Sequence, residues 1–223
     1  MNYFSMADLN KIKSEEDYVY TNFPFVKMIA YPFNWIVPSI SIAFLLFSGL
    51  IFFGFRKKKL NLLQIFKGFI PFILALLASF FVGFYGWQII VKIYPHYNEI
   101  LQGFTYNGHT YIAFFVSITV AITWYIYSKF QKDIKSVNFF IAPLFVWLVI
   151  NIIIAFYLKG AAYFIFPFFF GLLSFWLMLE NKNKNPLIHL LIAIPAVFIF
   201  CPLIQTFPIG LGLKMITVST VLT

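Results

Sequence analysis

Three residues of the stretch IYPHYNEILQGFTYNGHTYI, residues 93–112, have the side chains of a metal site: His96, Glu99 and His109. His96 and Glu99 are three apart, so on a helix they share a face. His109 follows after a turn-forming TYNGH, in which Asn107-Gly108 is a strong turn signal. Three such ligands with an open position make a catalytic zinc site. Against this stand the spacing, which fits no compact zinc signature, and the absence of His-Glu-x-x-His. The competing reading is an ordered external cap, held at a membrane interface by Tyr94, Tyr97, Tyr106 and Tyr111.

Other catalytic groupings are missing from the sequence. An intramembrane aspartyl protease needs two aspartates within spans, and Asp8, Asp17 and Asp133 all fall outside the apolar runs. There is no Gly-x-Ser-Gly and no phosphate-binding glycine loop. The paired Glu15-Glu16 precedes the first apolar run. Cys201 is the single cysteine, so it has no intrachain disulfide partner, and it reads as a small apolar side chain.

The elements that position these residues are membrane spans. The 223-residue chain is 62% hydrophobic and 10% charged, with a mean hydropathy of +0.89. A soluble domain is about a quarter charged, so lipid must be the solvent for most of this chain. The 22% aromatic content, with 32 Phe, fits a lipid-facing surface with Trp and Tyr at the headgroups. A span needs about 20 apolar residues. Runs of that kind lie at 35–55, 68–91, 110–128, 139–158, 161–179 and 187–206. A seventh begins near Gly210 and reaches Thr223, too short to cross, which predicts a truncated span. The expected class is all-α, a polytopic bundle of six full spans plus that seventh. Residues 1–34 form an extracytoplasmic lead-in and interfacial segment, and residues 35–223 the membrane domain.

Orientation follows from lysine and arginine. Arg56, Lys57, Lys58, Lys59, Lys67, Lys129, Lys132, Lys135, Lys182 and Lys184 lie in alternate loops and account for ten of the sixteen basic residues. Those loops are cytoplasmic by this rule. The N-terminus lies outside with the 92–109 loop, which in a bacterial inner membrane means the periplasm. The +9 charge belongs to this asymmetry and predicts no nucleic-acid partner. The partner it predicts is the lipid bilayer.

Within the spans, Asn151 is the clearest mid-span polar residue, and an interhelical hydrogen bond accounts for it. Ser79 and Gly83 form a small-xxx-small pair that predicts close helix packing. Pro195 and Pro202 lie deep in the sixth span and predict a bend. No Asp or Glu falls within any span, which weighs against proton coupling.

Three stretches, EEDYVYTNFPFVKMIAYPFNWIVP, YPHYNEILQGFTYNGHTYI and IAPLFVWLVINIIIAFYLKGAAYFIFP, together resemble the membrane portion of large zinc aminopeptidases of Bacteroidetes-type bacteria. These are similar to the fungal vacuolar membrane protease and the animal endoplasmic-reticulum metallopeptidase. The resemblance implies that an extracytoplasmic di-zinc peptidase domain precedes a multi-span domain. It also implies that this chain is a fragment or remnant, the anchor without its enzyme. The family's His-x-Asp zinc segment does not occur here, so no catalytic or zinc-binding residue carries over, and zinc belongs only to the absent domain. The alternative is a small transporter or permease-type subunit, in which Gly83, Pro195 and Pro202 would mark mobile helices.

Overall fold

The computed structural model describes residues 17–23, 27–180 and 186–223. Residues 1–16 of the lead-in and Lys182 and Lys184 of the 180–186 loop lie outside the described residues.

Among the described residues six helices are long and apolar enough to cross a membrane, and the protein is an integral, multi-pass membrane protein. In chain order the helices are α1 (Ile36–Arg56), α2 (Leu62–Ile93), α3 (Gly108–Phe130), the single turn α4 (Ser136–Phe139), α5 (Ile141–Tyr157), α6 (Ile165–Glu180), α7 (Pro186–Leu211) and the short α8 (Ile216–Leu222). The crossing helices coincide with the six apolar runs, because each run supplies enough residues to satisfy its backbone internally across the hydrocarbon.

The largest departure in length is α2. Its 32 residues span about 48 Å, more than the roughly 30 Å of hydrocarbon. The helix begins six residues before the apolar run because Asn61 caps it, its Oδ1 accepting from the Leu63 N–H at 2.9 Å. At the end of α1, Lys58 takes a positive φ of 54° and the Lys59 and Leu60 N–H groups return to the Gly54 carbonyl at 3.1 and 3.3 Å. Such a left-handed residue is the usual way to close a helix, although glycine normally fills it.

The described part of the lead-in is a β-hairpin. Tyr18–Phe23 (β1) and Lys27–Pro32 (β2) pair antiparallel, with Tyr18 opposite Pro32 and Thr21 opposite Ile29. Alternation places Val19 and Thr21 on one face, and both are buried. Val19 packs with Ile36 of α1, Ile154 of α5 and Ala162 of the 3-10 turn Lys159–Phe164. The Phe33 N–H donates to the Asp17 carbonyl at 3.0 Å, which ties the strand entry to the start of α1. The hairpin therefore sits at the end of the bundle opposite Arg56.

Two interior clusters hold the helices. One joins α1, α5, α6 and the start of α2 through Phe47, Leu148, Phe168 and Phe175. The other joins the outer ends of α2 and α3 to the C-terminal turn and α8 through Trp87, Ile112, Phe115, Leu213 and Ile216. The seventh run is thus a short helix packed inside the bundle, with Ile216, Ser219 and Thr220 fully buried. Around these clusters Phe44, Leu45, Phe52, Leu77 and Ile153 stay exposed. In water such a surface would aggregate, and in lipid it faces its own solvent.

Candidate functional site

The three candidate ligands of the opening stretch do not come together. His96 and Glu99 lie on a 3-10 turn, Pro95–Glu99, where residues three apart eclipse. Their Nδ1 and Oε2 are 3.7 Å apart, and both side chains are largely exposed. His109 is the second residue of α3, and its ring meets Phe104 edge-on at 5.3 Å. Among the described residues there is no group of three or more His, Cys, Asp or Glu able to hold a metal. The loop separating the 3-10 turn from α3 gives His109 an aromatic neighbour in place of the other two ligands.

The same stretch organises an aromatic cap over the outer ends of α2 and α3. Tyr97 stacks on Trp87 with rings 6.3 Å apart and nearly parallel, and Tyr111 meets Trp87 edge-on at 5.9 Å. The Tyr97 and Tyr111 hydroxyls are 3.2 Å apart. The loop then reaches the C-terminal turn. Gly103 and Gly212 both have positive φ, 62° and 87°, and the Leu213 N–H donates to the Gly103 carbonyl at 2.8 Å. Glycine is required there because a Cβ on Gly212 would stand 3.2 Å from Gly103 Cα and 2.9 Å from the Gln102 carbonyl oxygen.

Gly83 lies where α8 crosses α2. A Cβ at this position would be 2.6 Å from Thr217 Cα and would collide with the Thr220 hydroxyl. Ser79, one turn earlier and also buried, donates to its own helix at the Ala75 carbonyl, 2.7 Å. Asn151 differs from its expected role. Its Nδ2 donates to the Trp147 carbonyl at 2.8 Å, within α5, so its hydrogen bond is intrahelical. The side chain instead borders a small pocket with Tyr31 of the hairpin and Ser39 of α1. Pro195 and Pro202 lie inside the continuous helix α7, and a third proline, Pro208, lies beyond the expected end of that span.

Periodicity did not reveal the principal concavity. A cavity of about 630 Å³ opens between α2, α3, α5, α6, α7 and α8. Phe72, Ala75 and Ser79 approach it from α2, Trp147 and Ile150 from α5, and Ala196 and Phe200 from α7. Its volume lies within the roughly 300–1,000 Å³ of small-molecule sites. Among the described residues, the lining includes no Asp, Glu, Lys, Arg or His. Trp147 anchors its wall, with Nε1 donating to the Phe164 carbonyl at 3.2 Å and its ring edge-on to Phe200 at 5.1 Å. A second cavity, about 390 Å³, lies at the end of α3 that carries the basic loop, lined by Trp124, Tyr127, Ser128, Gln131, Ser136, Phe139, Phe140 and Pro143. Tyr127, Phe140 and Pro143 belong to both walls.

No family model, curated protein or solved structure matches the chain. What is established is a six-span helical membrane protein.

Proposed function

We propose that this domain is the membrane anchor of an extracytoplasmic zinc-dependent aminopeptidase and supplies no catalytic residue itself. The observation that carries this reading is the docked hairpin. Val19 is fully buried against Ile36, Ile154 and Ala162, so the chain enters the bundle through a fixed element, at the end opposite Arg56, Lys57, Lys58 and Lys59. By the charge rule that end is extracytoplasmic. A rigid entry on that face suits the carriage of a preceding domain, and the resemblance of three stretches to the aminopeptidase membrane portion names the kind of domain. A bacterial inner membrane is the setting this reading requires.

The test is to isolate, from membranes of the source organism, the native polypeptide containing GFTYNGHTYI and to assay it for aminopeptidase activity. Activity lost on zinc chelation and restored by zinc is the expected result. A 26.0 kDa product free of any such activity would overturn the reading.

The second reading, a small transporter or permease subunit, draws on the 630 Å³ cavity. Its wall lacks the ionisable side chains that ion or proton coupling uses. An apolar cargo suits such a wall better than a polar one.

A further inference from the structure

We propose that the two adjoining cavities form a binding site for one anionic glycerophospholipid, with an acyl chain in the inner cavity and the phosphate at the outer one. Tyr127, Phe140 and Pro143 line both spaces, so the outer cavity of about 390 Å³ adjoins the inner one of about 630 Å³, with these three side chains between them. Polarity changes from one to the other. The outer wall contributes the polar side chains of Ser128, Gln131 and Ser136. The inner wall is almost entirely aliphatic and aromatic. A sugar, peptide or ion in the inner space would lose its hydration with few partners to replace it. A hydrocarbon chain loses nothing there.

Charge selects the headgroup. Lys129, Lys132 and Lys135 alternate along the chain with the polar residues of the outer wall. They belong to the basic face, where anionic lipid concentrates by electrostatic attraction. Lys129 Nζ lies 5.0 Å from the centre of the Tyr125 ring, and Trp124 stands at the mouth, 78% exposed. Aromatic and basic side chains together mark the headgroup level. The order of a polar outer space beside an apolar inner one matches the order of a phospholipid from phosphate to acyl chain. This inference is independent of the anchor reading, since it needs no preceding domain.

The experiment is native mass spectrometry of the full chain, purified from bilayers of equal phosphatidylglycerol and phosphatidylcholine and progressively delipidated. The expected result is one phosphatidylglycerol retained after other lipids are stripped. Ala196→Phe fills the inner cavity and should abolish that retention, whereas Val149→Phe, on an exposed surface of α5, should leave it intact. The triple variant Lys129→Gln, Lys132→Gln, Lys135→Gln should fold normally and lower the preference for phosphatidylglycerol by about fivefold per lysine. Equal retention of both lipids by the wild type would overturn the proposal. Retention unchanged by Ala196→Phe, or a preference unchanged in the lysine variant, would overturn it as well.

Discussion

The Ser219 hydroxyl donates to the Ile204 carbonyl across 2.6 Å. That carbonyl belongs to α7, and its regular donor would be the N–H of residue 208, which is Pro208 and has none. Ser219 is fully buried on α8, so a side chain from the C-terminal helix replaces a bond that proline removes. In hydrocarbon no water can take over the role. Ser219→Ala should therefore destabilise the protein by about 1–2 kcal/mol. Adding Pro208→Ala restores a backbone donor and should cancel much of that loss. A double-mutant cycle from denaturant unfolding in micelles measures the coupling. Strict additivity would show that the two residues act separately.

Gly83 and Gly49 make a matched pair of tests. A Cβ at Gly83 would stand 2.6 Å from Thr217 Cα, and backbone atoms of a packed helix cannot move aside cheaply. Gly83→Ala should cost about 1–3 kcal/mol as α8 is displaced. Gly49 lies in α1 with nothing within 4 Å of its added Cβ. Gly49→Ala should instead stabilise by up to about 1 kcal/mol through helix propensity. Hydrogen exchange over residues 216–222 distinguishes the cases, rising in the Gly83 variant and unchanged in the Gly49 variant.

The spans were legible because a hydrophobic run long enough to cross a bilayer has few other uses. Their packing was much less legible. In a soluble helix the buried face is apolar and the other polar, so periodicity locates the interior. Here Phe168 and Phe52 are the same residue type, yet one is fully buried and the other 70% exposed. For that reason nothing in IAPLFVWLVIN marked Trp147 as a cavity wall. The hairpin was obscured by a related effect. In YVYTNF the buried residues are Val19 and Thr21, while the aromatic residues around them suggested an interfacial segment. Gly83 is the better signal through its small-xxx-small spacing with Ser79, whereas Gly49 of α1, without such a partner, approaches nothing. Pro208 falls outside the apolar run 187–206, which stops five residues short of the helix end at Leu211.

At the basic face, Asn138 joins α4 to α2. It is fully buried, its Nδ2 donates to Gln64 Oε1 at 2.8 Å, and its Oδ1 accepts from the Asn61 N–H at 3.2 Å. The same Asn61 caps α2, so one side chain supports both the cap and the loop. Asn138→Leu removes both partners and should cost about 2–3 kcal/mol. Gln64→Leu alone should cost less, because Gln64 leaves only one donor unpaired. In the double variant the losses should fall short of their sum. Thermal unfolding of the three proteins in one detergent provides the comparison, and equal single-variant losses with full additivity would rule out the shared network.

Tyr31 makes stability depend on alkaline pH. Its hydroxyl is buried without a hydrogen-bond partner among the described residues, and burial pushes its pKa up from 10.0 to about 12. The phenol is neutral when protonated, so the folded state holds its proton to higher pH than the unfolded state does. Below pH 10 both states are protonated and the shift contributes nothing to the slope. Between about pH 10 and 12 the unfolded state releases the proton first, so folding stability falls as pH rises through that window. Tyr31→Phe removes both the titration and the unpaired hydroxyl. The variant should be at least as stable as the wild type at neutral pH, because an unsatisfied buried group costs about 1–3 kcal/mol before any relief from partial exposure. Its melting temperature should also decline less steeply above pH 10. Melting curves for the two proteins measured in parallel across that range test the assignment. Curves that stay parallel would show that the Tyr31 proton is not linked to folding.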